Sequence, residues 1–368
     1  MHVQRVVVPG SGAESWTVLD GDGVPVEPVE RYLAYLTDVE RSPNTVRAYA
    51  FDLRDFWVFL AGRGLDWRAV RLEDIGEYVA WLRLPAAGRG GEVAVLPSVA
   101  PQAAASTVNR KLSALAAFYC HQARHGADVG GLLSAWRPAG QRGGWKPFLH
   151  HVSKGTPVPR RAIAVKAPRL LPRVLGPGQV QAILDACDHL RDRFLLALMW
   201  ECGCRVGEAL GLRHEDIAAA EREVAFVPRV NANSARCKSG RPRTVPVSAG
   251  LIRLWGDYLH LEYGQLDSDY VFVNLFARPR GQALTYPAVY DLIRRLRVKV
   301  GFSFGAHWLR HTAATRMLRD GVPVEVVSEI LGHGSVAITS AVYGHLTAAD
   351  ARRALEAAGW FTGSEVSW

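Results

Sequence analysis

Cysteine is scarce in this chain and never patterned. Five occur among 368 residues, at Cys120, Cys187, Cys202, Cys204 and Cys237. The odd number and the lack of paired C-x-x-C spacing argue against a disulfide framework and a zinc ribbon, and they fit a reducing cytoplasm. Cys202 and Cys204 read as small core residues beside Arg205. Long apolar runs are absent too, so no membrane span is expected, and the stretch Met1–Gly12 is too weakly apolar for a signal peptide. His307 and His311 stand at the i, i+4 spacing of a zinc helix, but Trp308, Leu309 and Arg310 fill the interval where a metalloprotease needs glutamate. No metal and no cofactor is expected.

Acidic residues are missing altogether from 138–174, a stretch that carries Arg142, Lys146, Lys154, Arg160, Arg161, Lys166, Arg169 and Arg173 among prolines, glycines and aromatics. Over the whole chain Lys+Arg number 44 against 35 Asp+Glu, a formal charge of +9. A surplus of this sign favours a polyanionic partner, and double-stranded DNA is the natural one. The length exceeds what one hydrophobic core usually serves, so two domains and a linker are expected.

In chain order, residues 1–25 alternate apolar and polar around Trp16 and end in the Gly-rich turn Asp20–Gly23, the pattern of a short hairpin. Residues 26–137 read as helical. Val29, Leu33, Leu36 and Val39 give a first amphipathic helix, and Ser42-Pro43 starts a second that carries Val46, Tyr49, Leu53, Phe56 and Leu60. A third runs from Leu72 to Leu84 and a fourth from Ser106 to about Arg124. On the fourth, Asn109, Arg110 and Lys111 are available to phosphates. The basic stretch 138–174 reads as an extended, proline-stiffened linker lying along a phosphate backbone, with Arg142, Lys146, Lys154, Arg160 and Arg161 as its contacts.

Residues 175–361 form a second domain, and 362–368 a tail. Glu223–Arg229 and Thr244–Val247 pair as a small antiparallel sheet whose tip carries Arg236, Lys238 and Arg241, with Arg243 beside them as a further DNA contact. Helices follow from Ala249 to about Glu262 and from Tyr286 to about Val300. After Gly305, His307, Arg310 and His311 share one helical face. Pro323 opens the next helix and Gly332 ends it, which places His333 in a turn. A helix over Val336–Tyr343 and another over Ala348–Ala358 complete the domain.

His307-x-x-Arg310, Leu331-Gly332-His333 and a tyrosine ten residues later resemble the tyrosine recombinase, or phage integrase, family. Cys202-Gly203-Cys204-Arg205-Val206-Gly207-Glu208 is similar to the family's first arginine box, and Lys238 stands where its hairpin lysine belongs. The resemblance covers Leu170 to Trp360 by specific motifs and Val26 to Trp136 by a looser pattern. It implies a multidomain, mainly α protein: an N-terminal α-helical, SAM-like core-binding domain and a mixed α+β catalytic domain with a small antiparallel sheet. It implies a site-specific recombinase of a mobile element that cleaves DNA through a 3′-phosphotyrosyl intermediate without ATP. Tyr343 would be the nucleophile. Arg205, Lys238, His307, Arg310 and His333 would complete the catalytic set, with Glu208 orienting them. It further implies a homotetramer on two DNA sites, assembled from monomers free in solution, with accessory DNA-binding proteins. A type IB topoisomerase-like relaxase and an inactive sequence-specific DNA-binding protein are the alternative readings.

Overall fold

Pro43 sets the first turn of the longest helix among the described residues, and the N-terminal core is assembled on that helix. The computed structural model describes residues 1–7, 14–85, 102–127, 134–138, 157–161, 163–166 and 172–332. The chain divides into two units, Met1–Arg169 and Leu170–Trp368.

In the first unit, His2–Val7 (β1) and Glu14–Leu19 (β2) pair antiparallel, with Val3 opposite Val18 and Arg5 opposite Trp16. The turn after β2 is an Asx turn, in which the Asp20 carboxylate accepts from the N–H groups of Asp22 and Val24, both at 2.9 Å. Four helices follow: Glu27–Asp38 (α1), Pro43–Arg63 (α2), Leu72–Arg83 (α3) and Ala105–Arg124 (α4). Their apolar residues recur at helical spacing, so each presents one stripe inward. Val29 and Leu33 meet Val46, Leu53, Phe56 and Leu60, together with Ile75, Tyr78, Leu112 and Phe118. Val39, counted in the first stripe, is instead an exposed residue at the end of α1.

Two further strands, Ser134–Pro138 (β3) and Pro157–Arg161 (β4), pair antiparallel, with Trp136 opposite Pro159. The stretch expected as a plain extended linker therefore contains a paired strand. Beyond it, Ile163 and Val165 pack on the helical core. Asn109 holds Val165 from both sides, its amide donating to the carbonyl at 2.8 Å and accepting from the N–H at 2.9 Å.

The second unit is built around Leu190–Cys202 (α6), which follows Pro177–Asp185 (α5). It is apolar around most of its circumference, as a central helix must be, and Phe194, Leu195, Leu196, Leu198 and Met199 are all buried. Val206–Leu210 (α7) is a short helix. Ile217–Ala218 (β5), Glu223–Phe226 (β6) and Arg243–Pro246 (β7) form one antiparallel sheet, in which Phe226 faces Arg243 and Val224 faces Val245. Ala249–Tyr258 (α8) continues into a π turn over Leu259–Tyr263, followed by Tyr286–Val300 (α9), Ala306–Arg319 (α10) and Val324–Leu331 (α11). The expected helices over 336–343 and 348–358 lie outside the described residues, as does the tail. Among the described residues, no helix is long and apolar enough to cross a membrane.

An ion-pair cluster joins α2 to α4. Lys111 is 9% exposed, and its ammonium donates to Asp52 at 3.0 Å and Asp55 at 2.7 Å, while Arg110 also pairs with Asp52. These cations, expected at phosphates, are engaged by carboxylates of their own unit, because α4 turns that face toward α2. Burial raises the Asp52 carboxyl above its ordinary range, against the opposing pull of Lys111 and Arg110. Lys111→Met should destabilise the protein by on the order of 3 kcal/mol, since removing one partner of a buried pair strands the other; urea unfolding measures it.

Candidate active site

The left-handed glycine Gly203, at φ +60°, ends α6 and turns the chain sharply into α7. Space as well as conformation requires glycine there, because a Cβ would stand 2.6 Å from Leu331. Arg205 then occupies the N-cap of α7 in extended conformation. Its backbone N–H donates to Glu208 Oε2 and its Nη1 to Glu208 Oε1, both at 2.9 Å. Glu208 is 4% exposed and receives a third bond from Arg243 Nη2 at 2.7 Å. Burial alone would raise this carboxyl, but the hydrogen bonds and charges of Arg243 and Arg205 outweigh it and hold the group below the usual glutamate range.

Arg243 thus departs from the expected DNA contact. Along β7 it shares the inward phase with Val245, so its side chain is buried. Its Nε donates to the Ile330 carbonyl at 2.8 Å, and its guanidinium lies 4.6 Å over the Phe226 ring. One residue joins the arginine box, the sheet and the end of α11.

Arg310 is 1% exposed. Its Nη1 donates to the Gly203 carbonyl at 2.7 Å and its Nη2 to the Leu331 carbonyl at 2.8 Å, the terminal carbonyls of α6 and α11. These carbonyls lack intrahelical donors and carry the negative end of the helix dipole, so they suit a buried cation. One helical turn earlier, His307 opens into the same region, and its ring lies 4.3 Å from that of His311.

Arg205, His307 and Arg310 line one cleft of about 210 Å³, together with Met199, Cys204, Val206, Gly207, Tyr286 and Ala306. Burial, and then the charges of Arg310, Arg205 and Lys238, hold the His307 imidazole below its ordinary range. Burial and the neighbouring His307 and Arg310 take His311 down to about 4. Lys238 is exposed on the loop between β6 and β7. The loop's base is fixed by Asn233, whose amide donates to the carbonyls of Leu210 at 3.0 Å and Leu284 at 2.8 Å. Arg236 and Arg241 are exposed on the same loop.

His333 and Tyr343 lie outside the described residues; the left-handed Gly332, at φ +62°, immediately precedes His333. Arg142, Lys146 and Lys154 also lie outside them, and Arg160 and Arg161 are on β4. Gly207 stands in the arginine box and Tyr286 at the start of an expected helix, but the sequence assigns neither to the site. Only the convergence of α9 on α7 brings them to the cleft, and the placement of Tyr286 between Thr285 and Pro287 at a helix start gives no sign of it.

The Phage integrase family pattern matches residues 173–350, and that of the phage integrase N-terminal SAM-like domain matches residues 29–126. Transposase A from transposon Tn554 of Staphylococcus aureus is 36% identical over 352 residues, covering 95% of this chain and 96% of that protein. Tyrosine recombinase XerC of Roseiflexus castenholzii is 28% identical over 331 residues, covering 87% of this chain and 89% of that protein. Among solved structures, the Tn1549 transposon integrase in complex with circular intermediate DNA matches with a TM-score of 0.59 at 14% identity, covering 90% of this chain and 99% of that one. The XerH site-specific recombinase bound to palindromic difH substrate, a post-cleavage complex, matches with a TM-score of 0.56 at 19% identity, covering 87% and 81%. These two structures share the fold expected from the sequence, a SAM-like helical domain followed by a mixed catalytic domain.

The depressed histidines have a consequence for stability. A base whose folded pKa lies below its unfolded value stabilises the fold fully above the unfolded value, and that contribution is lost as pH falls toward the folded one. For His311 the window runs from 6.5 down to about 4. Denaturant unfolding across that range should show stability falling with pH, and His311→Gln should make the fall shallower.

Proposed function

The chain belongs to the phage integrase family of tyrosine recombinases, and we propose that it cuts and rejoins DNA through a 3′-phosphotyrosine ester formed on Tyr343. The observation that carries the assignment of roles is the shared cleft of Arg205, His307 and Arg310, with the charge of Lys238 felt at His307.

In this reading a phosphodiester enters the cleft and its non-bridging oxygens meet the guanidinium groups of Arg205 and Arg310. Both arginines are held in place before substrate arrives, so they stabilise the charge that develops in the transition state with little reorganisation. His333 adds a hydrogen bond to the same oxygens. The Tyr343 oxygen attacks phosphorus in line, and its proton passes to His307, which the surrounding cations keep neutral and able to accept it. The bond from phosphorus to the 5′ oxygen breaks, and that oxygen takes a proton from Lys238. The products are a 3′-phosphotyrosine ester and a free 5′ hydroxyl. Attack by the 5′ hydroxyl of another strand reverses the step, so no ATP is consumed. Glu208 does not touch the substrate; it holds Arg205 by two bonds.

Exchange between two duplexes cuts four strands, and with one tyrosine per copy it requires four copies on two sites. The likeness to transposase A from transposon Tn554 extends over 95% of this chain, which supports a role in moving a genetic element. Accessory DNA-binding proteins would fix the direction of the reaction.

The test is covalent capture from a pool of random duplexes carrying 5′-bridging phosphorothiolates, whose departing thiol reverses the attack poorly. The wild-type chain should yield a protein–DNA adduct at Tyr343, and Tyr343→Phe should yield none; an adduct mapped to another residue, or capture by Tyr343→Phe, would refute the assignment. The same substrate isolates Lys238. A thiol leaves with a pKa of about 8.5 and needs no protonation, so Lys238→Ala should be strongly slowed on ordinary DNA and restored on the phosphorothiolate.

A further inference from the structure

Gly207 lies inside α7, and no left-handed φ requires glycine at that position. A glycine within a helix is unfavourable relative to alanine, so its presence calls for a reason in space. The reason is steric: a Cβ at 207 would stand 2.1 Å from the Tyr286 hydroxyl and 2.7 Å from the Arg236 carbonyl. The absent side chain admits the end of a phenol that starts from the first residue of α9.

That hydroxyl has no hydrogen-bond partner among the described residues, although the phenol lines the same cleft as Arg205, His307 and Arg310. The rest of the lining includes Met199, Cys204, Val206 and Ala306, an apolar wall against which a polar contact to substrate is strengthened. We propose that Tyr286 is a substrate-contacting residue of this cleft, its hydroxyl donating a hydrogen bond to one non-bridging oxygen of the phosphodiester held by Arg205 and Arg310. Tyr286 as a whole is 43% exposed, but its hydroxyl end is packed against Gly207, where partial burial and then the charge of Glu208 raise the phenol above its usual range against the pull of Arg236; it keeps its proton and acts as a donor. This proposal rests on the recombinase reading and adds a donor that the sequence motifs do not contain.

The experiment compares wild type with Tyr286→Phe, which keeps the ring and removes only the oxygen. The substrate is a duplex recovered by covalent capture, prepared with an ordinary scissile phosphate and with each of the two methylphosphonate diastereomers, in which one non-bridging oxygen is replaced by a methyl group. Loss of a hydrogen bond to a charged oxygen should slow single-turnover cleavage of the ordinary duplex about 10- to 100-fold. On the diastereomer that lacks the accepting oxygen the variant and wild type should cleave at the same rate, and on the other the defect should persist. An unimpaired variant overturns the proposal. So does a defect of equal size on all three substrates, which is the mark of a structural role. Formation of the wild-type adduct at Tyr343 is read separately: its absence overturns the recombinase reading and this proposal together, whereas a Tyr343 adduct with an unimpaired Tyr286→Phe overturns only the role of Tyr286.

Discussion

The carboxylate of Glu208 is buried, and a buried charge is tolerated only when it is paired and its lone pairs are filled. Arg205 and Arg243 do both, with a backbone N–H from Arg205 as the third donor. The geometry of the cleft follows from that requirement. Arg205 is fixed because Glu208 needs it, and Arg243 is drawn inward from β7 for the same reason. From there Arg243 reaches the carbonyl of Ile330 and sets the end of α11. Three segments far apart in sequence are thus registered on one charge, and because the pairs are out of water, salt screens them little.

Helix ends supply the rest. The α6 and α11 helices both terminate in left-handed glycines, Gly203 and Gly332, and their last carbonyls accept from Arg310 and, through Ile330, from Arg243. Chain direction puts acceptors at C-terminal ends and side chains at N-terminal beginnings, where Arg205, Tyr286 and His307 are found. The arginines are held from behind by carbonyls and a carboxylate, and the cleft they line is left with an excess of positive charge.

Periodicity made much of this legible. Pro43, the glycines and the apolar spacing located the helices of both units, and the alternation around Val224 and Val245 located the sheet. The spacing of His307, Arg310 and His311 placed them on one face before any tertiary contact was known. Cations were read less well, because composition reports how many positive charges exist and not which carboxylate each one faces. Lys111 and Arg110 looked available to phosphate, yet Asp52 and Asp55 one helix away engage Lys111, and Asp52 engages Arg110. For Arg243 a signal was present and unused: it shares the inward phase of Val245, which predicts burial. The pairing of β4 was hidden by prolines that suggest an open linker, and Tyr286 by a contact that exists only once α9 lies over a glycine of α7.

The electrostatics of His307 join the fold to the chemistry. Without substrate, burial and then the charges of Arg310, Arg205 and Lys238 oppose protonation of its imidazole. In the proposed reaction, a phosphodiester held by the arginines would bring a negative charge that offsets part of that field and raises the affinity of the imidazole for the proton that Tyr343 would give up. As the proposed base, His307 would thus be weaker without DNA than with DNA seated. On that reading, the charges that bind the phosphate would also time the proton transfer.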